Sequence, residues 1–191
     1  MNAMEPIRDI QIVYDIEDYL EHDNKRNYIM FILGVSTGLR ISDILRLRSR
    51  DLKDLKGNIR DHISIKEKKT QKDKKIKISK DLKPILKEYL KDKKEYEYII
   101  RSPKGINNAL SREQAYRILN AIGEKFELDS IGCHTLRKTF GYHYYKRTKD
   151  IASLMVIFNH SSPTTTLKYI GISQDGLDSI YDNSNMIRKK R

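Results

Sequence analysis

A lysine-rich run between two alternating segments divides this chain and constrains its fold more than any other feature. The segment His62–Lys66 alternates apolar and polar side chains, and Lys74–Ser79 does so again. A period of two is typical of a strand with one buried face. Two such strands around a polar turn predict an antiparallel β-hairpin, with the intervening lysines at its tip.

Helical spacing of apolar residues fills the chain on both sides of this hairpin. Before it, the spacing predicts a short helix that begins at Asp15–Leu20, a stronger one over Lys25–Ser36 and a third over Ile41–Leu47. After it, the predicted elements are helices over residues 82–89, 111–126, 134–147, 151–158 and 164–169 and a short strand over 98–100. Helices, a small sheet and helices again favour a mainly α domain with a small antiparallel β-sheet, an α+β fold.

The charge balance favours a polyanionic partner. Lysine and arginine number 38 against 26 aspartates and glutamates, a formal net charge of +12 at pH 7. Nucleic acid is the simplest such partner, although ribosome-associated and membrane-surface proteins share this property. No apolar run reaches the roughly 18 residues of a membrane span and no signal peptide opens the chain, so we expect a cytoplasmic protein without a membrane partner. The single cysteine, Cys133, excludes an internal disulfide framework and a cysteine-based zinc cluster.

Two segments place arginines where they can bind an anion. Arg40 follows a Gly-containing turn at the end of an apolar helix, and its planar guanidinium is suited to two phosphate oxygens. Asp43, three residues later, is a candidate for orienting a neighbouring group of the site. His134 and Arg137 are three residues apart, so on a helix they share one face. Each segment alone also fits a solvated surface.

Two further segments carry a histidine, a tyrosine and many lysines. His160 ends one predicted helix, and Tyr169 lies nine residues later in the next. A lone tyrosine at a helix end is more often a structural residue than a nucleophile. The lysine run at the hairpin tip fits either a solvated loop or a loop that contacts phosphates.

Together and in this order, the four segments resemble the catalytic domain of the tyrosine recombinase, or phage integrase, family. The family pattern is an arginine in T-G-L-R-x-S-[DE], a lysine on a β-hairpin, H-x-L-R, and a histidine followed nine residues later by a tyrosine. The resemblance covers residues 15–172, after an N-terminal extension of residues 1–14. The tail, residues 173–191, is a candidate for a helix exchanged between protomers. Arg40 comes so early that we expect a short form without the family's N-terminal core-binding domain.

The resemblance implies a site-specific recombinase that cleaves and rejoins double-stranded DNA through a 3′-phosphotyrosine intermediate. Tyr169 would be the nucleophile, and His134 the general base. Arg40 and Arg137 would neutralise the charge that develops on the phosphate, and His160 would donate a further hydrogen bond to it. Because the covalent intermediate retains the bond energy, no metal ion, ATP or other cofactor is expected.

The hairpin would supply the proton for the leaving oxygen. By alignment to the Lys-Thr-x-Lys turn, the general acid is Lys69, with Lys68 and Lys72 as close alternatives, and Asp43 would support the site. The predicted DNA-binding residues are the lysines Lys66, Lys68, Lys72, Lys74 and Lys75. The resemblance also implies a homo-oligomer, a tetramer, on DNA.

Two positions depart from the family pattern. Asn159 precedes the second histidine where glycine is common, and asparagine is the best non-glycine residue for the left-handed conformation expected at that helix end. Lys138 follows Arg137 where many relatives have histidine, and we expect little consequence.

Three other functions remain open at this stage. The first is a non-catalytic, recombinase-like DNA-binding protein or remnant, which the expected lack of a core-binding domain favours. The second is a type IB topoisomerase-like enzyme that relaxes DNA, although the T-G-L-R-x-S-D and H-T-L-R segments look more like recombinases. A basic RNA- or ribosome-associated protein is the third, and it leaves the ordered set of residues as a coincidence.

Overall fold

The computed structural model describes residues 4–66, 73–129, 131–172 and 176 of the chain. Within these ranges the elements are α1 (Ile10–Asp23), α2 (Lys25–Thr37), α3 (Ile41–Ile44), α4 (Ser49–Leu52), β1 (His62–Lys66), β2 (Asp73–Lys77), α5 (Leu82–Leu90), α6 (Arg112–Lys125), α7 (Thr135–Thr148), α8 (Ile151–Phe158) and α9 (Pro163–Tyr169). The predicted mainly α fold with a small antiparallel sheet is confirmed. None of the helices in these ranges is both long and apolar enough to cross a bilayer. The tail over 173–191 lies outside the described residues apart from Gly176.

The predicted hairpin forms, with strands β1 and β2 paired antiparallel. His62 lies opposite Lys77 and Ile63 opposite Ile76, so the apolar residues of both strands share one face. Ile63 is fully buried and Ile76 packs against the main core. The hairpin is therefore fastened to the helical domain by its apolar face, and its polar face remains on the surface.

Several elements differ from the prediction. Helix α3 ends at Ile44 rather than at Leu47, and α4 was not predicted. Helix α1 begins at Ile10, inside the range predicted as an N-terminal extension, because the Asp9 carboxylate caps it by accepting the Gln11 amide at 2.8 Å. The strand predicted over residues 98–100 is wrong. Tyr98 forms an isolated bridge to Arg48, and Ile99 and Ile100 are buried without belonging to a strand. Three apolar residues in a row carry too little periodicity to separate the two cases.

Helix α2 lies at the centre of the core and determines where α7 lies. Its residues from Tyr28 to Gly34 are all buried, and it packs against both α1 and α7. A Cβ atom at Gly34 would lie 2.6 Å from Leu136 Cδ1, so only glycine permits this close approach. The first turn of α7 is thereby brought against the end of α2, next to Arg40.

A second, smaller hydrophobic cluster joins α7, α8 and α9. Tyr142, Leu154, Phe158 and Ile170 are its buried members, and Tyr169 packs against them. Ile170 directly follows α9 and is fully buried. This cluster therefore fixes both ends of the segment that carries His160 and Tyr169.

Candidate active site

Arg40 projects from a turn that closes helix α2. Gly38 adopts a left-handed conformation (φ 62°, ψ 19°), and its amide donates to the Gly34 carbonyl at 3.1 Å. The chain then extends through Arg40 (φ −69°, ψ 143°), which directly precedes α3. The Asp43 amide donates to the Arg40 carbonyl at 2.8 Å, so the buried Asp43 helps to hold this turn. The position of Arg40 is thus set by a turn that backbone hydrogen bonds hold in place.

Arg137 is a buried cation at the junction of α2, α7 and α8. Its side chain is only 2% exposed. Nη1 donates to the Gly38 carbonyl at 2.5 Å and Nη2 to the Ile157 carbonyl at 3.4 Å. The guanidinium carbon lies 4.5 Å from the centre of the Phe158 ring. Since arginine does not deprotonate in proteins, these contacts fix a full positive charge beside the site.

Tyr169, the last residue of α9, lies between the two histidines. Its hydroxyl is 3.3 Å from His134 Nδ1, and its ring centre is 5.1 Å from that of His160. Burial raises the pKa of Tyr169 above its usual value, although the charges of Arg137 and Arg40 and a hydrogen bond from Arg137 act in the opposite direction. At neutral pH the phenol is therefore protonated and needs a base before it can act as a nucleophile.

His134 is in position to be that base. It directly precedes α7 and its side chain is exposed. Partial desolvation lowers its pKa, and the charges of Arg112, Lys138, Arg137 and Arg40 lower it further. The ring is therefore neutral at pH 7, and a neutral imidazole has one nitrogen that can accept a proton.

His160 follows the left-handed residue that ends α8. Asn159 has φ 56° and ψ 50°, which confirms the conformation predicted for it. The His160 amide donates to the Met155 carbonyl at 2.9 Å, and its Nδ1 lies 3.1 Å from Thr166 Oγ1. Burial lowers the pKa of His160, and the charges of Arg137 and Arg40 lower it further. The structure thus brings together the five residues that the family resemblance implies: Arg40, His134, Arg137, His160 and Tyr169.

Three of the predicted hairpin lysines lie among the described residues: Lys66, Lys74 and Lys75. Lys74 is half-buried, and its ammonium donates to the Ile157 carbonyl at 2.5 Å, the same carbonyl that Arg137 contacts. Lys66 and Lys75 are exposed on the two strands. The remaining predicted lysines lie outside the described residues: Lys68, Lys69 and Lys72. The assignment of the general acid to Lys69 therefore stays a prediction.

Sequence reasoning missed two arginines beside the site. Arg46 and Arg112 line one groove together with Arg40 and His134. Arg112 is the first residue of α6, and after desolvation its charge is the largest cause of the lowered pKa of His134. Neither belongs to the family pattern quoted above, so only their positive charge could have marked them.

Lys138 also lies nearer to the site than its place in the sequence suggests. Its ammonium is 5.4 Å from the centre of the Tyr169 ring and donates to the Met4 carbonyl at 2.5 Å. Partial burial lowers the pKa of Lys138. Lys138 follows His134 by four residues, and this helical spacing could have indicated that the two side chains share a face.

Comparison with known proteins gives a consistent result. The model of the Phage integrase family matches residues 8–175. The chain is 46% identical over 181 residues to the probable integrase/recombinase YoeC of Bacillus subtilis (strain 168). This alignment covers 95% of this chain and 97% of YoeC. It is 27% identical over 173 residues to the tyrosine recombinase XerA of Pyrococcus furiosus, covering 89% of this chain but 58% of XerA. The fold also matches the crystal structure of the XerH site-specific recombinase bound to a palindromic difH substrate in a post-cleavage complex, with a TM-score of 0.71. The two sequences are 22% identical, and the match covers 95% of this chain and 52% of that chain.

Proposed function

This chain belongs to the phage integrase family of site-specific recombinases, and on that premise we propose that it cleaves and rejoins double-stranded DNA through a 3′-phosphotyrosine at Tyr169. One observation carries the proposal: the Tyr169 hydroxyl lies 3.3 Å from His134 Nδ1, in a site that Arg40 and Arg137 make positive. A nucleophile, a neutral base and two fixed cations are the groups that phosphoryl transfer from DNA to a hydroxyl requires.

The chemistry proceeds in two reversible steps. His134 takes the phenolic proton while the Tyr169 oxygen forms a bond to phosphorus and the bond from phosphorus to the 5′-oxygen breaks. The leaving 5′-oxygen takes a proton from a hairpin lysine, for which Lys69 is the candidate. In the second step a 5′-hydroxyl displaces Tyr169 and restores the phosphodiester. Each step exchanges one phosphate ester for another, so no external energy source is needed.

Arg40, Arg137 and His160 serve the transition state. Negative charge builds on the non-bridging oxygens of the five-coordinate phosphorus, and prepositioned donors are most effective where such charge develops. Arg137 is held by two backbone carbonyls of the protein itself, so we expect little reorganisation of its side chain during the reaction. We assign His160 a further hydrogen bond to one of the same oxygens.

The flanking DNA backbone follows the positive surface beside these groups. The groove formed by Arg40, Arg46, Arg112 and His134 opens directly from the site. We propose that this groove and the exposed hairpin lysines bind phosphates on either side of the cleaved bond, and that the protein acts as a tetramer on DNA. Binding is then strongly salt-dependent, because each phosphate contact releases counterions.

The proposal is tested by trapping the covalent intermediate without metal or ATP. The protein is incubated with nicked suicide fragments made from the DNA that flanks its gene, then denatured and examined for a protein–DNA band. We expect the band to form equally with EDTA and with magnesium, because the two arginines supply the positive charge. A band that EDTA removes and magnesium restores would contradict this mechanism. DNA binding without any band would indicate the non-catalytic alternative, and relaxation of supercoils by a monomer would indicate the topoisomerase alternative.

The pH dependence of adduct formation tests the role of His134. The ordinary pKa of histidine is about 6.5. Because burial and the nearby cations lower the pKa of His134, its ring is still mostly neutral at that pH and gains a proton only at lower pH. We therefore expect no loss of single-turnover rate at saturating DNA on acidification to about pH 6.5, and a fall only below it. His134→Gln is expected to lose about 10²- to 10⁴-fold in rate. A rate that already falls on acidification above neutral pH would contradict a lowered pKa in the base.

A further inference from the structure

Thr166 connects the two segments that carry His160 and Tyr169. It lies on α9, one helical turn before Tyr169, and its side chain is fully buried. Its hydroxyl oxygen is 3.1 Å from His160 Nδ1 and 3.1 Å from the Ser162 carbonyl oxygen. Thr166 is therefore the link between the helix of the nucleophile and the second histidine.

The proton count at this hydroxyl determines which ring nitrogen of His160 is protonated. A carbonyl oxygen only accepts, so the hydroxyl proton of Thr166 is donated to Ser162. The hydroxyl then offers its lone pairs to His160 Nδ1, which must bring the proton to this hydrogen bond. In the neutral ring Nδ1 carries the only proton, and Nε2 is left as an acceptor.

A phosphate oxygen is also an acceptor, so it cannot hydrogen-bond to an unprotonated Nε2. His160 can donate to it only after the ring gains a second proton, taken from solvent, at Nε2. The charged ring then has both N–H groups satisfied, one by Thr166 and one by the phosphate. Arg40 and Arg137 oppose this charge, and the negative phosphate offsets them. The buried hydroxyl thus makes the charged form of His160 possible inside a cationic site.

We infer that Thr166 is a positioning residue that holds the Nδ1 proton of His160 and so presents Nε2–H to the phosphate. The inference rests on the proposed function, since it deepens the role assigned to His160. Thr166 does not touch the reacting atoms and acts only through the imidazole. Its removal leaves a buried Nδ1–H without an acceptor, a penalty that falls on the charged ring in particular.

The first test compares protonation of His160 in Thr166→Val with the wild type by nitrogen-15 NMR, without DNA. We expect the neutral wild-type ring to be protonated at Nδ1, and the valine variant to lose that preference and to have a lower His160 pKa. Thr164→Val, an exposed position on the same helix, is the matched control and is expected to change neither property. An unchanged tautomer and pKa in Thr166→Val would overturn the inference, whether or not the protein cleaves DNA.

The second test measures single-turnover adduct formation on saturating suicide DNA. Thr166→Val is expected to slow it by about 10- to 100-fold, by analogy with the loss seen when the partner that orients a metal-bound histidine is removed. The defect should be larger at about pH 8 than at about pH 6, because the charged ring is harder to maintain as the pH rises. Thr166→Ser keeps the hydroxyl and is expected to restore most of the rate.

A double-mutant cycle separates positioning from a general structural role. In a His160→Ala background, Thr166→Val is expected to change the rate by less than about twofold, because the residue through which it acts is absent. An equal loss in both backgrounds, or a loss that serine fails to restore, would overturn the inference. Absence of any adduct with the wild type would instead count against the proposed function, and the NMR comparison would still decide the role of Thr166.

Discussion

Tyr169→Phe is expected to abolish the covalent protein–DNA adduct while DNA affinity changes by less than about tenfold. The substitution removes only the hydroxyl that His134 contacts and keeps the ring contacts with Phe158 and His160. One uncharged hydrogen bond contributes about 0.5–1.5 kcal/mol, which bounds the effect on binding. Loss of the nucleophile, by contrast, leaves no oxygen that could be joined to phosphorus. Denaturing gels measure the adduct, and titration of labelled duplex measures the affinity.

Tyr145→Phe is the matched control for this substitution. Tyr145 lies on α7 and packs against the same hydrophobic cluster as Tyr169, so its phenylalanine variant removes a hydroxyl from the same region. We expect it to form the adduct at the wild-type level. An adduct that survives in Tyr169→Phe would place the nucleophile elsewhere, with Tyr181 in the tail as the first residue to test.

Arg137→Ala is expected to slow cleavage by about 10²- to 10³-fold or more, the usual effect of removing one donor aimed at a developing negative charge. Arg137→Lys keeps the charge but cannot make two parallel hydrogen bonds, so we expect an intermediate rate. The measurement is single-turnover cleavage at saturating DNA. A loss below about tenfold, which corresponds to about 1.4 kcal/mol, would contradict a role in the transition state.

Arg40→Ala separates the effect on chemistry from the effect on stability. Arg137 is buried and binds the Gly38 and Ile157 carbonyls, so its loss also destabilises the fold. Arg40 is less buried, and we expect a similar loss of rate with a smaller change in melting temperature. Arg147→Ala, at the exposed end of α7, is the control and should leave the single-turnover rate unchanged.

The sequence predicts those parts of the fold whose signal is local. The alternation in residues 62–66 and 74–79 was sufficient to predict the hairpin and its apolar face. The helical spacing of apolar residues was sufficient to predict α2. The start of α1 was missed although its Asp9 cap is a local signal, whereas the segment before it is held by a distant contact, the Ile7 amide that donates to Thr139 Oγ1 at 2.9 Å. Contacts between residues so far apart in the chain leave no periodic pattern.

In the candidate site, too, the residues in local motifs could be predicted and the contacts between distant segments could not. Arg40, His134, Arg137, His160 and Tyr169 were named because four short segments, in order, resemble the pattern of the tyrosine recombinase family, and the fold brings these residues close together. The carbonyl contacts of Arg137 and Lys74 could not be predicted, since both depend on how the end of α8 packs. Nor could the link between Thr166 and His160, which depends on the turn between α8 and α9.

The central claim is that Tyr169 forms the covalent bond to DNA, and peptide mapping tests it most directly. Wild-type adduct on a suicide substrate is digested with protease and nuclease, and the peptide that retains a nucleotide is sequenced by mass spectrometry. The account predicts a single modified residue, Tyr169, joined to a 3′-phosphate. A nucleotide on any other residue, or one joined through a 5′-phosphate, would contradict it.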